Sequence, residues 1–141
     1  MTEILFYTFA EDPLDVARRI AAKAHSQGRQ VMIYVPDAAV ADAIDRLLWT
    51  TPAPGFVPHC RDNDPLAGET PVLIGTDTNA LRSADVMINL HTEQPPAFAR
   101  FERLVEIVGL DEARVEQGRE RYRFYKARGY ALQSHDLRQP G

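Results

Sequence analysis

The chain has 141 residues, enough for one domain with a sizeable core, and its 45% hydrophobic and 26% charged content is that of an ordinary globular protein. A formal net charge of -4 and a pI near 5.5 argue against a non-specific grip on nucleic acid, which needs a positive field. Cys60 is the single cysteine, so no internal disulfide can form and the chain reads as cytoplasmic. The start, Met1-Thr2-Glu3-Ile4, does not read as a secretory signal, and no stretch approaches the roughly 20 apolar residues of a membrane span.

Ile4 to Phe9 is a short apolar, aromatic and β-branched run that predicts a buried strand. Asp12-Pro13 then supplies a helix cap followed by proline at the first helical position. Leu14, Ala17, Ile20, Ala21 and Ala24 recur at helical spacing, and Gly28 stands where a C-terminal cap belongs. A strand over 30–35 follows, closed by Pro36. Asp37 opens a second helix with Val40, Ala41, Ile44, Leu47 and Leu48 inward. This β-α-β-α order opens a right-handed parallel sheet. Thr50 to Thr70, rich in proline and glycine, reads as a long loop. Strands resume at 71–75 and 85–90. A helical turn through Phe101 and a strand from Leu104 to Val108 come next. The last helix runs from Asp111 to Arg128, with Gly129 as its cap. The expected organisation is one α/β domain over 1–129 and a polar, loose tail over 130–141.

Catalytic signatures do not emerge. The turn Thr8-Phe9-Ala10-Glu11-Asp12-Pro13 after the first strand has no glycine or lysine and carries two carboxylates where phosphates would lie. Neither a Walker A loop nor G-x-G-x-x-G occurs. His25, His59, His91 and His135 show no paired metal-ligand spacing. Cys60, followed by Asp62 and Asp64, lacks the positive surroundings that activate a thiol. Ser26, Ser83 and Ser134 lie in no nucleophile elbow. The residues therefore nominate no catalytic group, no metal and no cofactor. A small nucleotide-binding or hydrolase enzyme on the same sheet is the alternative reading.

Two segments stand out. Leu47 to His59 holds the only tryptophan, Trp49, at a helix end, then a proline-stiffened loop carrying Phe56 and Val57. Such groups either fold back onto the core, which the residues alone favour, or anchor a partner. On the last helix Arg119, Arg123 and Lys126 form one stripe with Tyr122 beside it and Val115 and Gly118 nearby, while Arg114, Arg121 and Arg128 fall on the other side. The stripe suits an acidic peptide. The plainer reading is a solvated helix laced by pairs such as Glu116–Arg119 and Glu120–Arg123.

These segments also carry a family resemblance. Phe6-Tyr7 in the first strand, Leu48-Trp49 followed by Phe56-Val57-Pro58-His59, Pro71-Val72-Leu73-Ile74, Asp85 to Leu90 (the D-[IV]-[LM]-I-x-L kind) and the R-E-R-Y run within Arg119 to Tyr130 occur in order along almost the whole chain. Together they resemble the chi subunit of DNA polymerase III. The resemblance implies a Rossmann-like three-layer domain with a mainly parallel sheet and no enzymatic activity. It implies two partners, the psi subunit of the clamp-loader assembly and the acidic tail of single-stranded-DNA-binding protein, which ends in Pro-Phe. By position Trp49 and Phe56 fall on the psi-facing motif, and Val108, Arg119, Tyr122 and Arg123 on the tail-binding motif. The family is also linked to a helicase through the psi-facing surface. One departure is visible. A basic residue expected a turn before Arg119 is Val115 here, and the neighbouring Arg114 points elsewhere.

Overall fold

A computed structural model describes residues 1–52, 56–80 and 84–138. Ala53, Pro54 and Gly55 of the proline-rich segment, Ser83, and the end of the expected tail at 139–141 lie outside the described residues.

Seven strands, β1 (Glu3–Ala10), β2 (Val31–Tyr34), β3 (His59–Arg61), β4 (Val72–Gly75), β5 (Val86–Asn89), β6 (Arg103–Gly109) and β7 (Ala131–Asp136), form one sheet in the order β3-β4-β2-β5-β6-β1-β7. Each pairing is parallel. Three helices, α1 (Pro13–Ser26), α2 (Ala38–Thr50) and α3 (Glu112–Ala127), cover it. Their starts follow from side-chain caps. Asp12, Asp37 and Asp111 accept the backbone N–H of Asp15, Val40 and Arg114 at 3.2, 2.9 and 2.9 Å. Gly28 and Gly129, at φ +75° and +82°, take the left-handed conformation that ends α1 and α3.

The inner strands are buried on both faces, as a parallel sheet requires. Val31, Ile33, Val86, Ile88, Val105 and Ile107 pack beneath α1 and α2, with Ala17, Ala21, Ile44 and Leu48. The alternate positions Met32, Leu73, Met87, Leu104 and Val108 face the other way, toward Tyr125 and Tyr122 of α3. The result is a three-layer α/β fold.

On the α3 face one strand position is a charge. Glu106 is fully buried between Leu104 and Val108. Its Oε1 accepts from Asn89 Nδ2 at 2.8 Å and from Arg121 Nε at 3.1 Å, and its Oε2 accepts from the Tyr125 hydroxyl at 2.5 Å. Arg121 also donates to the Thr92 carbonyl, and Asn89 donates to that of Glu93. Burial pushes the Glu106 carboxyl up, against the pull of Arg121 and the hydrogen bonds. Burial and the neighbouring Glu106 push the Tyr125 hydroxyl up as well, so it stays a donor. Arg121, which lies across the helix from the basic stripe, is therefore a core residue whose desolvation is offset by this network.

Two expectations change. Tyr130 to Gly141 is not a loose tail through its first part. Ala131–Asp136 pairs with β1 from Glu3↔Ala131 to Thr8↔Asp136, and His135 stacks on Tyr7 at 5.1 Å. It is an edge strand, so only Leu132 packs on the core and the apolar signal is diluted. The long loop after α2 likewise contains β3, three residues at the opposite edge, and a 3-10 turn at Ala67–Glu69.

Replacing Arg121 by methionine leaves a buried carboxylate without its cation and should cost about 3–5 kcal/mol in urea unfolding. The sign of the pH dependence is fixed. A carboxyl whose folded pKa lies above its unfolded value binds its proton more tightly in the native state. Stability of Arg121→Met should therefore fall as pH rises from the ordinary carboxylate range, while Arg121→Met/Glu106→Gln should lose that slope. A flat profile for the single variant would show that Glu106 is not the buried charge.

Candidate functional site

The two segments singled out in the sequence sit at opposite edges of the sheet. Beside β1 and β7, a cavity of about 200 Å³ opens between α3 and the strands. Phe6, Thr8 and Phe9 of β1, Val108 of β6, Ser134 of β7, and Val115, Gly118, Arg119 and Tyr122 of α3 line it. Tyr122 packs edge-on against Phe6 at 5.4 Å. Close approach of the helix depends on Gly118. A Cβ there would stand 2.8 Å from Cγ2 of Val108. Val108, Arg119 and Tyr122 are thus brought together as expected. Arg123 is not among the lining residues and turns instead to Glu116 at 3.5 Å, rather than to Glu120. Arg119, two-thirds exposed at the rim, lies 3.9 Å from the same Glu116, so both cations share one loosely held anion. Arg114 is directed away, 3.2 Å from Asp111. The position where a cation was expected, Val115, adds an apolar wall. The arrangement is a short apolar slot with a guanidinium at its mouth, suited to an apolar side chain next to a carboxylate.

Sequence reasoning missed Phe6, Thr8, Phe9 and Ser134 in this wall. Strand parity alone places Phe6 and Thr8 on the α3 side. Ser134 was hidden by the reading of its segment as a tail, and nothing in the sequence marks Phe9.

At the other edge, Trp49 near the C-terminal end of α2 is 63% exposed. Its ring lies 5.6 Å from Phe56 and 4.9 Å from His59, and Phe56 lies 5.7 Å from His59. The segment divides between the two readings of the sequence. Val57 enters the core, whereas Trp49 and the half-buried Phe56 remain outside it. His59 forms the floor: its Nδ1 is 2.9 Å from the Val57 carbonyl, and its Nε2 is 3.1 Å from Asp45 Oδ1 but out of hydrogen-bond alignment. Arg61 bonds Asp42 at 2.6 Å and closes the rim beside a shallow depression of about 490 Å³, where Leu66 is also exposed. Exposed aromatic rings beside charged pairs form a surface of the kind that suits an anchor for another protein.

Among the described residues no group of three or more His, Cys, Asp or Glu is placed to hold a metal ion, and no helix is long and apolar enough to cross a membrane.

The family model "DNA polymerase III chi subunit, HolC" matches residues 1–133. The chain belongs to the DNA polymerase III chi subunit family. It is 36% identical over 141 residues to the chi subunit of Pseudomonas aeruginosa, covering 97% of this chain and 98% of that one. It is 32% identical over 114 residues to that of Escherichia coli, covering 80% and 78%. Among solved structures, the C-terminal domain of the DEAD-box protein Dbp5 superposes with a TM-score of 0.64 at 12% identity, over 98% of this chain and 92% of that one. A chain of an S. cerevisiae Dbp5 complex superposes with a TM-score of 0.67 at 13% identity, and this chain spans 42% of it. At that identity the likeness concerns the fold alone. Within the chi family, then, this chain combines an apolar slot floored by Gly118 with an aromatic patch at the far edge.

Gly118→Ala tests how tightly the slot is built. Alanine gains about 1 kcal/mol of helix propensity, yet overpacking against Val108 should cost about 1–3 kcal/mol. The variant should therefore be no more stable than the parent in thermal unfolding. A gain near the full propensity value would mean that α3 can move off the sheet freely.

Proposed function

We propose that this chi-family subunit of the polymerase is a non-catalytic bridge, with one edge of its sheet holding the psi subunit and the other the acidic C-terminal tail of single-stranded-DNA-binding protein. One observation carries the reading: the two surfaces suited to protein partners lie at the two ends of a seven-stranded sheet. Six strand spacings separate those edges, roughly 29 Å at the usual distance between strands. Two partners on such surfaces do not compete for space, which is what an adaptor needs.

The chemistry of each surface matches its proposed occupant. A tail ending in Pro-Phe presents a terminal carboxylate, neighbouring acidic groups and one ring. Val108, Val115 and Tyr122 enclose the ring, and Arg119 pairs with the carboxylate. Trp49 and Phe56 supply the rigid aromatic area typical of a docking hot spot for psi. Arg123 contributes to the field of the first site rather than to its wall, since it stands off the cavity and is partly neutralised by Glu116.

Calorimetry with an acidic peptide ending in Pro-Phe tests the first site. Arg119→Ala should lower affinity about tenfold or more, the loss expected for one charge-assisted contact, and deleting the terminal phenylalanine should lower it comparably. Affinity unchanged by Arg119→Ala would remove the assignment. For the second site, Phe56→Ala should abolish co-purification with psi while circular dichroism stays that of the parent. Retained co-purification would overturn the psi assignment, and a collapsed spectrum would return Phe56 to a role in folding.

A further inference from the structure

The strand wall of the α3 cavity holds a feature that the fold does not need. In β1, Ile4 and Phe6 face α3, and Tyr7 faces α1. Strict alternation would send Thr8 to the α3 side and Phe9 back. Instead the register between β1 and β6 shifts between Tyr7 and Ala10, and Phe9 adopts φ +57°. Thr8 and Phe9 then line the same cavity, while Ala10 resumes its place in the core under α1 and α2. A non-glycine residue in the left-handed region is strained, and a bulge is a common way to re-aim a side chain. Here the bulge presents an aromatic ring to the slot.

That ring carries a cation. The Arg138 Cζ lies 3.4 Å from the centre of the Phe9 ring. A backbone bond from Leu137 N to the Thr8 carbonyl at 3.0 Å holds the turn after β7 against β1. Asp136 fixes the guanidinium through Nε at 3.1 Å and Nη2 at 2.7 Å, and also accepts the Arg138 N–H at 2.9 Å. The Arg138 side chain is nonetheless 59% exposed, standing behind Phe9 rather than in the cavity wall itself, and among the described residues Nη1 makes no hydrogen bond. Across the cavity the helix wall is poorly charged for an acidic ligand, because Arg119 and Arg123 share Glu116 and position 115 is valine.

We propose that Arg138, seated on Phe9, is a second cationic anchor of the acidic-peptide site, so that the peptide is gripped from the β7 side as well as from α3. This rests on the cavity being the peptide site proposed above. Asp136 acts as the placeholder. It pre-orients the guanidinium in the free protein and competes with the peptide's carboxylates for it. The ring of Phe9 serves as both apolar wall and platform, which gives the strained backbone a use.

The test is fluorescence anisotropy with a labelled acidic peptide ending in Pro-Phe, over a range of salt concentrations, on the full chain and three variants whose folding is checked by circular dichroism. Arg138→Gln should weaken binding about three- to fivefold and flatten its salt dependence. Asp136→Asn, which frees Arg138 while keeping the side-chain shape, should strengthen binding about twofold or more. Arg119→Ala is the reference. If Arg119→Ala weakens binding but Arg138→Gln and Asp136→Asn leave it unchanged, the second anchor is wrong and the peptide site stands. If Arg119→Ala has no effect, or the parent does not bind, the site itself is wrong and the anchor with it.

Discussion

Glu106 has no access to water, and its charge decides where α3 can lie. A carboxylate in the middle of a sheet needs its lone pairs met, and among the described residues Arg121 and Tyr125 of α3, with Asn89 of β5, meet them. Because Arg121 and Tyr125 are one helical turn apart, they set the rotation of the helix as well as its distance from the sheet. With those two turned toward Glu106, Val115, Gly118 and Tyr122 are left over β1 and β6, and Arg119 at the edge of the slot. The cavity is a by-product of that clamp. An apolar contact would hold α3 down with similar strength but would not fix its rotation, since apolar packing has no direction.

The clamp also explains which parts of the molecule a sequence reveals. Strands β1, β2, β4, β5 and β6 lie inside a parallel sheet and are written as short apolar runs. The helices announce themselves through the caps Asp12, Asp37 and Asp111, and α1 and α2 also through inner residues such as Ala17, Ala21, Ala41 and Leu48. The edges are harder. β7 buries little, and its Gln133, Ser134 and His135 read as a tail because an edge strand in water need not be apolar. β3 is three residues long, below what periodicity can register. The role of Arg121 was not legible because nothing in a single sequence pairs it with Glu106, 15 residues away on another element.

The sites were legible to different degrees. Arg119, Tyr122 and Val108 converge as the family resemblance implies, while Arg123 stands outside the wall they make. The strand half of that wall was invisible, because it needs β7 to exist and a bulge at Phe9 that no local signal encodes. For Trp49 and Phe56 the residues alone favoured the core, and the structure divides the segment instead. Val57 fills the core position, which leaves its aromatic neighbours outside. The fold shared with DEAD-box domains adds nothing to this, since function resides in the sites that a fold carries.

The two ends of the seven-stranded parallel sheet are held apart by six strand spacings. On the function proposed above, both ends are occupied at once. The most direct measurement is the dissociation constant of psi for this chain, taken with and without a saturating concentration of the acidic peptide. Independent sites predict a change of less than about twofold, because a rigid scaffold transmits little coupling energy. Displacement of psi by the peptide in proportion to its occupancy would contradict the account, since the two partners would then share one surface.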